Sequence, residues 1–166
     1  MQKNLYLNQK FTKFINNENF EFDRSKILKI LNSDLLDDAY KTISKWQKYQ
    51  PTPLESLNKL SKELKLKNIF YKDESKRFGL KSFKALGGAY AVEKITKGRK
   101  DITVSTATAG NHGKSVAWGA KNLGLNCKIF ISENVRETRA EEMRNLDAEV
   151  IRVKGNYEAS LNFCKE

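Results

Sequence analysis

Residues 102–123 read ITVSTATAGNHGKSVAWGAKNL, a β-branched stretch that passes through a Gly-containing turn into an amphipathic one. A hydrophobic period that changes from 2 to 3.6 within so short a segment marks a strand feeding a helix, here Ile102 to Thr106 followed by Gly110 to Leu123. The pattern recurs twice downstream, as Cys127–Ile131 before Arg136–Leu146 and as Glu149–Val153 before a stretch beginning at Asn156. Such alternation predicts an α/β fold, a parallel sheet with crossover helices. The last stretch, NYEASLNFCKE, reaches Glu166 with no stop signal and no following strand, so the expectation is a chain that ends in mid-domain.

Upstream of the deciding stretch, Phe83, Leu86, Ala89, Tyr90, Val92 and Ile95 recur near the helical period. They predict a helix from Ser82 to about Lys97, with Ser82 as N-cap and Gly98 as stop. Earlier still, Ser33 to Lys48 is the best helical candidate, and Pro51-Thr52-Pro53 ends it. A second helix over Leu54–Leu64 and a buried strand over Asn68–Lys72 complete the expected elements.

Composition narrows the function classes. With 166 residues the chain has about one domain's length, and 39% hydrophobic content with only 2 Pro excludes collagenous, low-complexity and disordered chains. No apolar run approaches the ~20 residues of a membrane span, so no membrane partner is expected. The opening MQKNLYLNQKFTKF lacks the apolar stretch of a secretory leader, so a cytoplasmic location is expected. Cys127 and Cys164 show no CxxC or Cys/His spacing and are expected as reduced, buried thiols, with no metal site. The formal charge of +11 comes from 24 Lys and only 7 Arg, dispersed among acids rather than massed in a run. Phosphate and base-edge readout favours bidentate Arg, so no nucleic-acid partner is expected.

Two stretches carry chemical content. In residues 72–92, KDESKRFGLKSFKALGGAYAV, Lys84 falls in the first turn of its helix beside Phe83. The positive field of a helix N-terminus and partial burial both disfavour a charged amine, and a neutral amine is what a Schiff-base lysine needs. Most lysines in so basic a chain are solvated surface groups; the company of this one sets it apart. The second stretch is the turn of residues 106–115, where a helix N-terminus and backbone N–H groups converge in an anion-binding geometry. It comes within one residue of the phosphate-cradling pattern G-x-x-x-x-G-K-[ST], with Thr108 in place of the first Gly and Gly113-Lys114-Ser115 completing it. Thr108 lacks that glycine's freedom, and no later strand ends in a magnesium-holding Asp, which argues against a nucleoside triphosphate. His112, the only histidine, reads as a turn group that hydrogen-bonds structurally, and Trp118 as core packing.

The combination of KDES, RFGL, FK, LGG and TATAGNHGKSVAW resembles the pyridoxal-phosphate enzymes of the tryptophan-synthase-β type, which include the serine and threonine dehydratases. Within them it is most similar to the diaminopropionate ammonia-lyases, since Leu80 stands where general dehydratases carry a small residue. The resemblance implies a fold type II architecture of two domains, incomplete here. Residues 1–98 would be the N-terminal part of the large cofactor-binding domain with its lysine helix, and 99–166 the start of the small βαβ domain. It implies pyridoxal 5'-phosphate as cofactor. Lys84 would be the catalytic lysine that holds it in Schiff-base linkage, Phe83 would lie against it, and Asn111 would hydrogen-bond its ring hydroxyl. The turn Thr108, Ala109, Gly110, Asn111 and His112 would receive the carboxylate of a small amino-acid substrate. The implied reaction is elimination of ammonia from 2,3-diaminopropionate to give pyruvate and ammonia, by a homodimer in the full-length enzyme. A serine/threonine dehydratase-like lyase and a non-catalytic remnant are the alternatives.

Two departures qualify the match. The diaminopropionate enzymes typically carry an aspartate before Gly-Asn-His, credited with taking the α proton of the D-isomer, whereas this chain has Ala109. The family's glycine-rich phosphate loop and the partner of its pyridine nitrogen lie downstream of Glu166, so the chain is expected to be an N-terminal piece with little activity alone.

Overall fold

A computed structural model describes residues 23–166; the stretch 1–14 read above for a leader lies outside the described residues. The chain divides into two units, residues 1–36 and 37–166. In the first, α1 (Arg24–Ile30) is capped by Asp23, whose carboxylate accepts from the N–H groups of Ser25 and Lys26. No pattern in the sequence had singled out this short helix. α2 (Ser33–Ile43) stops five residues before the expected Lys48, in a turn that precedes the two prolines.

Residues 54–64 depart from expectation. Leu54, Leu57, Leu60 and Leu64 sit at helical spacing, yet Leu54–Ser56 forms β1, and only Asn58–Glu63 is helical, as α3. β1 pairs antiparallel with β2 (Phe70–Lys72) in the register Leu54↔Lys72 to Ser56↔Phe70. Two prolines hold the approach to β1 extended. Backbone bonds from Leu57 to Ile69 (2.9 Å) and from Asp73 to Pro53 (3.0 Å) then secure the pair. β2 was expected as a buried strand; it is three residues long and exposed, because no second layer covers it among the described residues.

The 3₁₀ turn Arg77–Gly79 is tied to this pair through a buried side chain. The Arg77 guanidinium donates to Glu74 (2.7 and 2.8 Å), to the Thr52 hydroxyl (2.9 Å) and to the Gln50 carbonyl (2.8 Å). Arg77 and then Thr52 lower the Glu74 carboxyl to about 2. The turn leads to α4 (Ala85–Thr96), which ends at Lys97 in the left-handed region (φ 49°), followed by Gly98.

The remainder has the expected alternation: β3 (Thr103–Ala107), α5 (Asn111–Asn122), β4 (Asn126–Ser132), α6 (Glu137–Arg144), β5 (Glu149–Val153) and α7 (Tyr157–Lys165). The strands form a parallel sheet in the order β3-β4-β5, with Thr103↔Asn126 and Lys128↔Glu149 opening the two registers. Alternation along β4 separates its faces. Cys127, Ile129 and Ile131 join Val116, Ala117 and Ala120 of α5 and Ala140 and Met143 of α6 in the main core. Phe130 faces the other way and meets Phe163 of α7, ring centroids 5.6 Å apart. Full burial of Ile129, Ile131 and Met143 contributes about 1.5–3 kcal/mol each before the entropy of ordering them is set against it. Cys127 is buried as expected, whereas Cys164 on α7 is only half-buried; both thiols are free.

α4 lies directly against α5. A Cβ on Gly88 would stand 1.8 Å from the Ser115 Oγ, and one on Gly119 would stand 2.8 Å from the Ala89 Cα. Only hydrogen at these positions lets the backbones approach so closely. Trp118 packs as expected, stacked on Phe78 at 4.7 Å and edge-on to Trp46 at 5.6 Å. Among the described residues no helix is long and apolar enough to cross a membrane, and no cluster of three or more His, Cys, Asp or Glu could hold a metal ion.

Candidate active site

The close approach at Gly88 places the starts of α4 and α5 side by side. The Cβ position of Gly88 is also 3.6 Å from the His112 Nδ1. Lys84, whose carbonyl accepts from the Gly88 N–H at 2.8 Å, therefore stands one helical turn from the Asn-His end of the turn.

Lys84 itself differs from expectation in two respects. It is the N-cap of α4 rather than a first-turn residue, because Ser82 and Phe83 belong to the preceding turn and the Ser82 hydroxyl accepts the Lys84 N–H (3.1 Å). It is exposed rather than partly buried. Its amine lies 5.6 Å from the centroid of the Phe83 ring, which is also exposed.

The turn between β3 and α5 is held by its carbonyls and open at its donors. The Thr108 N–H extends the β-ladder to the Phe130 carbonyl (3.1 Å). The Ala109 carbonyl accepts from the Arg139 guanidinium on α6 (3.3 Å), a contact that no sequence signal indicated. The Gly110 carbonyl takes the Lys114 N–H (3.2 Å), and the His112 carbonyl takes the Ser115 hydroxyl (2.9 Å). Among the described residues the N–H groups of Ala109, Gly110, Asn111 and His112 have no partner. Thr108, Ala109 and Gly110 are half-buried, while Asn111 and His112 are exposed. The result is a half-turn of free donors at a helix N-terminus, a geometry suited to a carboxylate or another anion.

The Gly-Lys-Ser run is used for packing. A Cβ at Gly113 would stand 2.6 Å from the Met143 sulfur and 3.0 Å from the Thr108 Cγ2, so this glycine admits α6 against the turn. Lys114 pairs with Glu142 of α6 at 3.4 Å, and Ser115 binds back to its own helix. These residues therefore already have roles, and the phosphate-cradling reading loses its basis.

An exposed amine beside a donor-lined turn, on a parallel α/β sheet, fits an enzyme that binds an amino acid at a carbonyl cofactor. The family model for pyridoxal-phosphate dependent enzymes matches residues 45–166, and the chain belongs to that family. Its structural relatives are fold type II enzymes, and the cofactor of the family is pyridoxal 5'-phosphate.

Among individual relatives, the chain is similar to the diaminopropionate ammonia-lyase of Escherichia coli K12, 41% identical over 136 residues that span 71% of this chain and 34% of that one. The same enzyme from Salmonella typhimurium is 35% identical over 159 residues, spanning 82% and 39%. The biosynthetic L-threonine dehydratase of Haemophilus influenzae is 34% identical over 128 residues, spanning 76% and 24%. The crystal structure of the E. coli lyase in its apo form superposes with a TM-score of 0.75 at 34% identity, covering 80% of this chain and 41% of that one. The chain thus spans about a third of the length of the curated lyases it matches.

Proposed function

We propose that this chain carries the lysine and carboxylate-binding half of a lyase that eliminates ammonia from 2,3-diaminopropionate, giving pyruvate and ammonia. The observation that supports this reading best is the exposure of Lys84 together with the place of its backbone, one helical turn before Gly88, whose Cβ position lies 3.6 Å from His112 at the end of the donor-lined turn. The residues present fit the cofactor: an uncovered primary amine to bond its carbonyl carbon, the flat Phe83 face beside that amine, and the Asn111 amide to hydrogen-bond its ring hydroxyl. When bound, the cofactor supplies an electron sink for charge developing at the substrate α carbon. Lys84 would hold the cofactor through its amine and, with that amine released, would move the proton at the substrate α carbon. The turn's N–H groups orient the carboxylate, which fixes the α carbon relative to that lysine.

Taken whole, one substrate and one water become pyruvate and two ammonia molecules. Residues 1–98 would be the large-domain part and 99–166 the start of a small domain; the sheets β1–β2 and β3–β4–β5 fall on either side of that boundary, while α4 and α5 pack across it within one unit. The full-length enzyme would act in the cytoplasm as a homodimer on a small amino acid. With about a third of the relatives' length in the chain, its activity alone would be low.

A second reading is favoured by Ala109. A methyl group cannot act as a base, so the full-length form should turn over L-2,3-diaminopropionate far faster than the D-isomer; equal rates would refute this. The same alanine suits a dehydratase, and L-serine or L-threonine outpacing L-diaminopropionate would favour that reading. The first experiment is addition of pyridoxal phosphate to the 166-residue chain, then borohydride reduction and peptide mapping. Label at Lys84 alone supports the reading, and label spread evenly over surface lysines overturns the assignment of Lys84.

A further inference from the structure

We propose that Arg139 is a positioning residue that locks the Ala109–Gly110 peptide and so keeps the carboxylate-binding turn a pure donor surface. The inference rests on the carboxylate-receiving role given to that turn under Proposed function. Its structural basis is the hydrogen bond from the Arg139 Nη1 on α6 to the Ala109 carbonyl, at 3.3 Å across 30 positions of sequence.

A trans peptide is planar, so the carbonyl of one residue and the N–H of the next point in opposite directions. The chain has no cis peptide among its described residues. An Ala109 carbonyl held toward α6 therefore aims the Gly110 N–H away from α6. Gly110 lies at φ −155°, ψ −143°, and among the described residues no second hydrogen bond holds the Ala109–Gly110 peptide plane itself. Rotating the plane by half a turn would exchange a donor for a carbonyl oxygen facing an incoming carboxylate. A carbonyl there repels the anion it should receive, so the bond to Arg139 decides the sign of the site.

Arg139 is uncommitted elsewhere. Among the described residues it pairs with no carboxylate: on α6, Glu137 takes Arg144 and Arg152, while Glu142 takes Lys114. Its charge beside the N-terminus of α5 adds to the positive field there, and its planar fork leaves further donors free. Gly113 makes the contact possible by admitting α6 against the turn through Met143.

The test uses the ¹⁵N-labelled 166-residue chain and its variants Arg139→Met, which keeps an unbranched apolar stem, and Arg139→Lys, which keeps a cationic donor. Without ligand, the wild-type Gly110 amide should give one sharp resonance. Arg139→Met should broaden or double it while leaving the α5 and α6 resonances in place, and Arg139→Lys should restore most of the sharpness. With L-2,3-diaminopropionate as probe and its carboxamide as control, the Gly110 and Asn111 amides should shift with the acid only. Arg139→Met should raise the dissociation constant about threefold, the modest net scale of one exposed hydrogen bond. A Gly110 resonance in Arg139→Met as sharp as in wild type, at the same position, overturns the proposal whatever the ligand does. A wild-type turn that ignores the acid, with Gly110 still broadened by Arg139→Met, overturns the carboxylate role while sustaining the peptide lock.

Discussion

Gly87 and Gly88 are adjacent in α4, yet substitution by alanine should move stability in opposite directions. In a helix interior, alanine is favoured over glycine by about 0.5–1 kcal/mol because the unfolded chain loses freedom. At Gly87 nothing lies within 4 Å of the new Cβ, so Gly87→Ala should gain that amount. At Gly88 the Cβ would fall 1.8 Å from the Ser115 Oγ and 3.0 Å from its Cβ. One way out rotates the hydroxyl and gives up its 2.9 Å bond to the His112 carbonyl, at about 1–3 kcal/mol for a buried polar group left unpaired. The other spreads α4 from α5, at about 1–3 kcal/mol of lost packing. Either outweighs the propensity gain, and Gly88→Ala should lose about 1–2 kcal/mol. Adding Ser115→Ala should recover part of that loss but not all, since the 3.0 Å approach between the β carbons remains. Urea unfolding followed by tryptophan fluorescence suits the case, because the only two tryptophans, Trp46 and Trp118, report on the cluster beside these helices. If Gly88→Ala proved as stable as Gly87→Ala, the two helices would not be in contact here, and the placement of Lys84 beside the turn would fall with that contact.

The Glu74 carboxyl, held to about 2 against an ordinary 4.5, stabilises the fold fully above its unfolded range. That contribution, about 2–3 kcal/mol, should fade as pH drops from about 4.5 toward 2. Glu74→Gln should reduce the pH dependence in that window, leaving the part due to the other lowered carboxylates such as Asp38 and Glu137, and also destabilise at pH 7, where urea midpoints would show it; an unchanged acid profile would contradict the ion pair. Just past the end of β3, the Thr108 N–H faces β4. By alternation the amides of Val104 and Thr106 face β4 too, while those of Thr103, Ser105 and Ala107 face the open edge. Hydrogen exchange should therefore be at least about tenfold faster at the latter three, and equal rates would mean that the edge is covered. Burial pushes the Cys127 thiol up to about 11. A disulfide reagent at pH 8 should thus modify half-buried Cys164 first and Cys127 only on unfolding; simultaneous labelling would disprove the core position of Cys127.

The parallel sheet was legible because each strand and its helix declare themselves locally: β5 falls on the expected residues, and β3 and β4 within one residue of them. The β1–α3 region was not legible, because the leucines at helical spacing carry no record of a pairing with Phe70–Lys72 that is set by tertiary contact. Site residues were readable as types in a spacing, and the structure packs Gly88, one helical turn after Lys84, against His112 and Ser115. Their exposures were not readable, since burial depends on which surfaces come to cover them. Arg139 left no trace at all, because its bond joins residues 30 positions apart through a backbone oxygen that every residue possesses.

The motif that carries the resemblance divides into two physical roles. Lys72, Glu74 and Arg77 of the KDES and RFGL segments do not touch the donor-lined turn. They gather on Thr52, whose carbonyl accepts from Lys72 (2.5 Å) and whose hydroxyl lies between Arg77 and Glu74. Fixing that knot fixes the 3₁₀ turn, where Phe78 is held at φ 49° and its ring lies against Trp118 of α5. The same helix begins at the Asn-His end of the turn. α5 therefore has its first turn pressed on Gly88 and a later turn held by Phe78, two contacts that set it against the segment bearing Lys84. So the residues that look most like a signature of chemistry in KDESKRF act by geometry: they set where the lysine stands relative to the donors. A substitution in that knot should alter how well the amine and the turn meet while leaving both chemically intact, which separates the scaffold's contribution from that of Lys84 itself.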